Sequence, residues 1–185
     1  MEPFYDNIIR IHKAAKLENL QDKITLITNA ISNQRYEIKS LSRNDVNIGG
    51  QSLFGNQEKV FTKEDMKTNR YLVETIFFDD IVPYIPKKEG KYKYKKAIMK
   101  IDIEGSEPFA FQHAQILFDT LEIVIIQMEW GYLLNKGNNN GIIESLIDFL
   151  MSRKLIPYAN YDRLRLSKKN WHSWPWDIVW IKEGY

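Results

Sequence analysis

The chain has 185 residues, 44% of them hydrophobic and 27% charged, a composition that suits one soluble domain with a sizeable core. Its formal charge is only +2, so the whole-chain balance points neither to nucleic acid nor to an anionic membrane. Cysteine is absent, which excludes disulfides, zinc–thiolate sites and cysteine nucleophiles.

No apolar stretch approaches the roughly 20 residues of a membrane span. The opening Met1-Glu2-Pro3-Phe4-Tyr5-Asp6 is neither a signal nor a transit peptide, so nothing assigns a compartment beyond a cytoplasmic default. Asn7 to Leu17 predicts a helix with Ile8, Ile11, His12 and Ala15 on one face, and His12 reads as a core or boundary histidine. Lys23 to Ser32 predicts a buried strand and Tyr36 to Leu41 a short one. Arg43 to Phe61, rich in Asn, Gly, Ser and Gln, predicts a long loop, and loops of that length in compact domains are usually functional or mobile. Val73 to Phe78 predicts a strand, with a helical turn beginning at Asp79-Asp80. The basic run Lys87 to Lys96, interleaved with Tyr92 and Tyr94, has the composition of a nucleic-acid grip, but its place between two elements favours a solvated loop.

The second half alternates strands and helices. Ala97 to Ile103 and Leu121 to Trp130 are apolar strands, and Pro108 to Phe118 and Gly141 to Arg153 are helices. Leu155 to Tyr161 and Asp177 to Lys182 close the chain as an antiparallel pair at a sheet edge. The pattern predicts an α/β domain spanning the whole chain, with a mainly parallel sheet covered by helices on both faces.

Met99 to Glu107 carries the chemistry. Alternation places Ala97, Met99, Ile101 and Ile103 on one face and Ile98, Lys100, Asp102 and Glu104 on the other. A strand that turns from apolar to Lys-x-Asp-x-Glu at its C-terminal end has moved from core to opening, the edge where open α/β sheets bind ligands. Gly105 permits a tight turn, and Glu107 falls in the first turn of the next helix. Spacing alone equally allows Asp102 as a turn residue, Lys100 as its ion-pair partner and the two glutamates as caps.

Lys100 to Glu107, K-I-D-I-E-G-S-E, is very similar to the K-x-D-[VI]-E-G-x-E signature of the FkbM-type methyltransferases. The helix after it, then an apolar strand ending in Glu129, also resembles that family. So do V-E-T-I-F-F-D-D-I-V upstream, Met1 to Phe4 with I-T-N-A-I-S, and W-D-I-V-W-I-K at the far end. The resemblance implies a Rossmann-like class I methyltransferase fold. It also implies S-adenosylmethionine as methyl donor, and O-methylation of a hydroxyl on a small molecule or glycan. It assigns Glu2 to the cofactor ribose, Asn29 and Ala30 to the turn against adenine, and Asp102 to the methionine end or the acceptor. Lys100, Glu104 and Glu129 become acceptor-side candidates, and Asp102 or Glu129 would receive the hydroxyl proton. Such domains open with a strand and a glycine-rich turn ahead of the ribose carboxylate. The first strand and most of the second are therefore expected to be missing here, which makes a catalytically inactive fragment or binding module the competing expectation. No metal site is expected, although Asp102, Glu104 and Glu129 are hard ligands of the kind Mg²⁺ accepts. His12, His113 and His172 lack metal-ligand spacing. Trp171, His172, Trp174, Pro175 and Trp176 read either as an aromatic wall for an acceptor or as a packing patch beside an edge strand.

Overall fold

The computed structural model describes residues 1–44, 46–47, 49–53, 60–135, 140–160 and 163–185. Helix α1 (Tyr5–Leu17) opens the chain. The Glu2 carboxylate accepts from the Phe4 N–H at 2.8 Å, next to the positive end of that helix. Only Ala15 of α1 is buried and His12 is exposed, so the expected apolar face is narrow and His12 is not a core residue.

The predicted strand Lys23–Ser32 shrinks to the two residues of β1 (Ala30–Ile31), preceded by a 3₁₀ turn at Gln21–Lys23. Strand β1 runs parallel to β3 (Leu72–Ile76), and β2 (Ile38–Ser40) runs antiparallel on the other side of β3. A short helix α2 (Lys63–Thr68) leads into β3, with Thr62 and Asp65 forming a reciprocal capping box. The expected helical turn at Asp79-Asp80 is a 3₁₀ segment, Phe78–Tyr84, whose start is held by the Asp80 carboxylate accepting from Phe77 N–H at 2.9 Å. The loop expected over 43–61 lies partly outside the described residues. Its described part includes a bridge between Leu41 and Leu53.

The basic run is a short hairpin, not a loop. β4 (Lys87–Lys88) pairs with β5 (Lys91–Tyr92) across Glu89-Gly90, both of positive φ, the pattern of a two-residue type I′ turn.

The second main sheet has the order β6-β7-β9-β8. Strands β6 (Lys96–Ile101) and β7 (Glu122–Glu129) are parallel. β8 (Leu155–Ala159) and β9 (Asp177–Lys182) form the expected antiparallel pair, with β9 also antiparallel to β7 and β8 at the edge. The last residue of the predicted strand 155–161 lies outside the described residues. The single helix predicted over Pro108–Phe118 is broken into α3 (Glu107–Ala110), a 3₁₀ turn at Phe111–His113, and α4 (Gln115–Thr120). The break falls at Ala114, fully buried with φ −116° and ψ 5°. Helix α5 (Gly131–Asn135) follows β7, and α6 (Asn140–Ser152) packs on α3 and β8.

The strands do not make one mainly parallel sheet: the described residues form sheets of three, two and four strands. Parallel pairing is confined to β1–β3 and β6–β7, and the other four pairings are antiparallel. Among the described residues, no strand pairing joins the two larger sheets. The fold is a mixed α/β arrangement whose main core lies around β7 and β9, where Ile126, Met128, Ile178 and Trp180 are fully buried. Each such aliphatic side chain contributes about 1.5–3 kcal/mol on burial. Strand β6 alternates as the sequence demands. Ala97, Met99, Ile101 and Ile103 face the core, and Lys96, Ile98, Lys100 and Asp102 face solvent.

Candidate active site at the end of the parallel pair

Strands β6 and β7 are parallel, so their C-terminal ends open at the same edge. The register pairing Ile101 with Met128 carries Asp102 and Glu129 to neighbouring positions just beyond it. Leaving β6, the chain enters a tight left-handed turn at Glu104 (φ +57°) and Gly105 (φ +84°). Glycine takes that conformation freely, whereas a glutamate held there is uncommon and marks a constrained turn. One carboxylate oxygen from each of Asp102, Glu104 and Glu129 lies within 4.8 Å of the others. Such a group can share protons, bind a cation side chain or accept a hard divalent ion.

The charges are partly compensated. Lys100 Nζ donates to Asp102 Oδ2 at 3.0 Å in an exposed ion pair. Burial, reinforced by the Asp102 and Glu104 carboxylates, pushes the Glu129 pKa up, and the hydrogen bond from Trp176 opposes this. That bond is short, from Trp176 Nε1 to Glu129 Oε1 at 2.6 Å. Glu104 raises the pKa of the Tyr132 hydroxyl through its charge and a hydrogen bond. Beneath the group lies Glu107, fully buried, its Oε1 accepting from Ile103 N–H at 3.0 Å and its Oε2 without a partner. Burial pushes the Glu107 carboxyl up to about 7.

The tryptophans divide between the two readings of their cluster. Trp171 and Trp174 are packing residues: both are buried against Trp130, whose Nε1 donates to the Trp171 carbonyl at 3.1 Å. Trp176 is 48% exposed and belongs to the site. Its carbonyl accepts from the Trp130 and Gly131 N–H groups, its indole lies over Gly131, and Tyr132 meets it edge-on at 5.3 Å. A Cβ at Gly131 would sit 2.1 Å from the indole, so only glycine permits this packing. Gly50 from the polar loop also reaches the site, since a Cβ there would lie 3.2 Å from Glu104 Oε1.

Lys100, Asp102, Glu104 and Glu129 are thus brought together. Glu2, Asn29 and Ala30 belong to the start of α1 and the sheet of β1, β3 and β2. The Glu2 carboxylate accepts from Phe4 N–H and Asn7 Nδ2, Asn29 Nδ2 donates to the Glu74 carbonyl at 3.2 Å, and Ala30 is buried with Phe4, Leu41 and Val73. None of the hydrogen bonds of these three residues reaches Asp102, and Ala30 begins a strand instead of forming a turn after one. Sequence reasoning missed Tyr132, Gly131 and Gly50. It could not see that Trp176 reaches Glu129, because the antiparallel register Glu129↔Asp177 sets that contact and has no local sequence signal.

A family model described as Methyltransferase FkbM domain matches residues 1–162. No curated protein and no solved structure matches the chain. The matched span covers most of the chain, including the strand, turn and helix that build the acidic group, and the chain belongs to the FkbM methyltransferase domain family.

Proposed function

We propose that the chain, read as one domain over residues 1–185, transfers a methyl group from S-adenosylmethionine to a hydroxyl of a small molecule or glycan. The fold would be a Rossmann-like class I methyltransferase arrangement. The observation carrying this reading is the convergence of Asp102, Glu104 and Glu129 where two parallel strands end, the edge at which α/β sheets take ligands. The methyl donor, when bound, supplies an electrophilic methyl group; displacement there requires in-line positioning more than covalent catalysis. Glu129, whose affinity for a proton is raised, is suited to accept the hydroxyl proton. Lys100 pairs with Asp102 at 3.0 Å, and Asp102 orients the acceptor or the donor's methionine end. Glu2, with Asn29 and Ala30, would hold the nucleoside end. Each Glu2 oxygen accepts one hydrogen bond and retains a lone pair, so the ribose hydroxyls fall within its capacity.

Calorimetric titration with S-adenosylmethionine, followed by transfer of a labelled methyl group to a panel of hydroxylated small molecules and glycosides, tests this. Saturable binding and transfer to a hydroxyl are expected. Absence of both would favour the competing reading, a binding module on a catalytically silent domain. One observation supports that alternative: both Glu2 oxygens are already engaged at a helix start.

A further inference from the structure

The hairpin β4–β5 concentrates charge in a way the whole-chain value hides. Residues 87–96 hold six lysines and one glutamate, a net +5, whereas the chain totals +2, so the rest of the molecule carries −3. All six lysines are exposed. Lys87 and Lys93 lie over the rings of Tyr92 and Tyr94, at 4.9 and 5.1 Å, and Lys96 lies over Tyr185. Among the described residues, Lys88, Lys91 and Lys95 are paired with no carboxylate. Two exposed tyrosines, Tyr84 and Tyr94, flank the base of the hairpin, where Lys93 N–H donates to the Pro86 carbonyl.

We propose that this hairpin is a docking surface for an anionic lipid membrane, which the domain meets peripherally. The chemistry favours a lipid surface over a nucleic acid on three counts. The stretch contains lysine and no arginine, and lysine offers a compact point charge without the fork that reads phosphates and bases bidentately. A lysine lies over one face of Tyr92 and one face of Tyr94, so each ring offers a stacking base at most a single face. Exposed tyrosines beside clustered lysines are what a headgroup region accommodates, with rings at the interface and ammonium groups toward acidic lipids. A polybasic cluster of four to eight such charges is the usual size for this kind of attraction.

The test is co-sedimentation of the full chain with phosphatidylcholine vesicles, with and without phosphatidylserine, across a salt series. Two charge-matched variants accompany it: Lys88→Glu/Lys91→Glu/Lys95→Glu in the hairpin, and Lys13→Glu/Lys16→Glu/Lys23→Glu at exposed positions elsewhere. Binding is expected only with phosphatidylserine and should weaken with added salt. The hairpin variant should lose about a hundredfold in partition coefficient, while the control variant binds almost as well as the parent. Circular dichroism melts establish that both variants fold, and if the glutamate triple does not, Lys→Gln at the same three positions is read instead, with a loss of at least tenfold expected. Equal binding to neutral vesicles, no binding to acidic ones, or an equal loss in both variants overturns the proposal. So does salt-sensitive binding to polyuridylic acid without binding to phosphatidylserine vesicles, which would identify a nucleic-acid surface.

Discussion

Gly131→Ala is a small change with a large local consequence. The added methyl would lie 2.1 and 2.2 Å from two carbons of the Trp176 indole, and ordinary contact begins near 3.4 Å. The ring must therefore retreat by more than an ångström. The bond from Trp176 Nε1 to Glu129 Oε1 is 2.6 Å long and cannot follow a displacement of that size sideways. Overpacking costs about 1–3 kcal/mol, and a hydrogen bond to a charged group contributes about 1.5–3 kcal/mol. Both are reduced here because Trp176 is half exposed. Alanine also recovers up to about 1 kcal/mol over glycine within a helix, and Gly131 is the first residue of α5. The net expectation is a loss of about 1–2 kcal/mol in urea unfolding monitored by tryptophan fluorescence. The control is the same substitution in a Trp176→Ala background, where the clash is gone and Gly131→Ala should become neutral or stabilising. Glu129 should also bind its proton more tightly in Gly131→Ala, since the indole donor favours the ionised form. An equal cost in both backgrounds would refute the packing argument, and an unchanged Glu129 titration by carbon-detected NMR would refute the electrostatic one.

Glu107 is a buried carboxyl whose folded pKa of about 7 lies above the ordinary 4.5, so its contribution to stability is fully present below the unfolded value and is lost as pH rises through about 7. On the order of 3 kcal/mol is at stake. Unfolding free energies from pH 4 to 8 should fall in the parent and fall much less in Glu107→Gln, which keeps the acceptor for Ile103 N–H; parallel curves would show that Glu107 is not the responsible group. Asp79→Ala should cost about 1 kcal/mol in thermal or urea unfolding, because Asp79 Oδ1 accepts from Leu117 N–H at 2.8 Å and caps α4 from another part of the chain. Asp102→Asn should leave stability within about 0.5 kcal/mol, since Asp102 is exposed, and should lower methyl transfer at least tenfold; unchanged transfer would remove Asp102 from the reaction.

What the sequence made legible follows from how locally each feature is determined. Strands β6, β7 and β9 are readable because short, largely apolar runs have few other outcomes. The two faces of β6 follow from sequence because alternation along one strand requires no partner. β1 is shorter than its composition suggests: KITLITNAIS has strand composition throughout, but a strand is only as long as its neighbours allow, and only Ala30 and Ile31 pair with β3. The helix after the signature was predicted whole because Phe111, Ala114, Leu117 and Phe118 keep helical spacing. Its break at the fully buried Ala114 is a tertiary effect that periodicity does not record. The acidic group divides in the same way. Lys100 and Asp102 sit two apart where the chain runs out of β6, so their common face is visible in the spacing, whereas Glu104 is brought to them by the left-handed turn. Glu129 joins them through parallel register, and Trp176, Tyr132 and Gly50 join through antiparallel register, ring packing and a loop closure. The burial of Glu107 was invisible for a related reason. A glutamate in the first turn of a helix is ordinarily a solvated cap, and only the turn at Glu104-Gly105 draws this helix start under the strand end and leaves Glu107 without water. The chemically unusual group of this site is therefore set by a backbone turn, while the exposed Lys100 and Asp102 of the signature are set by strand alternation.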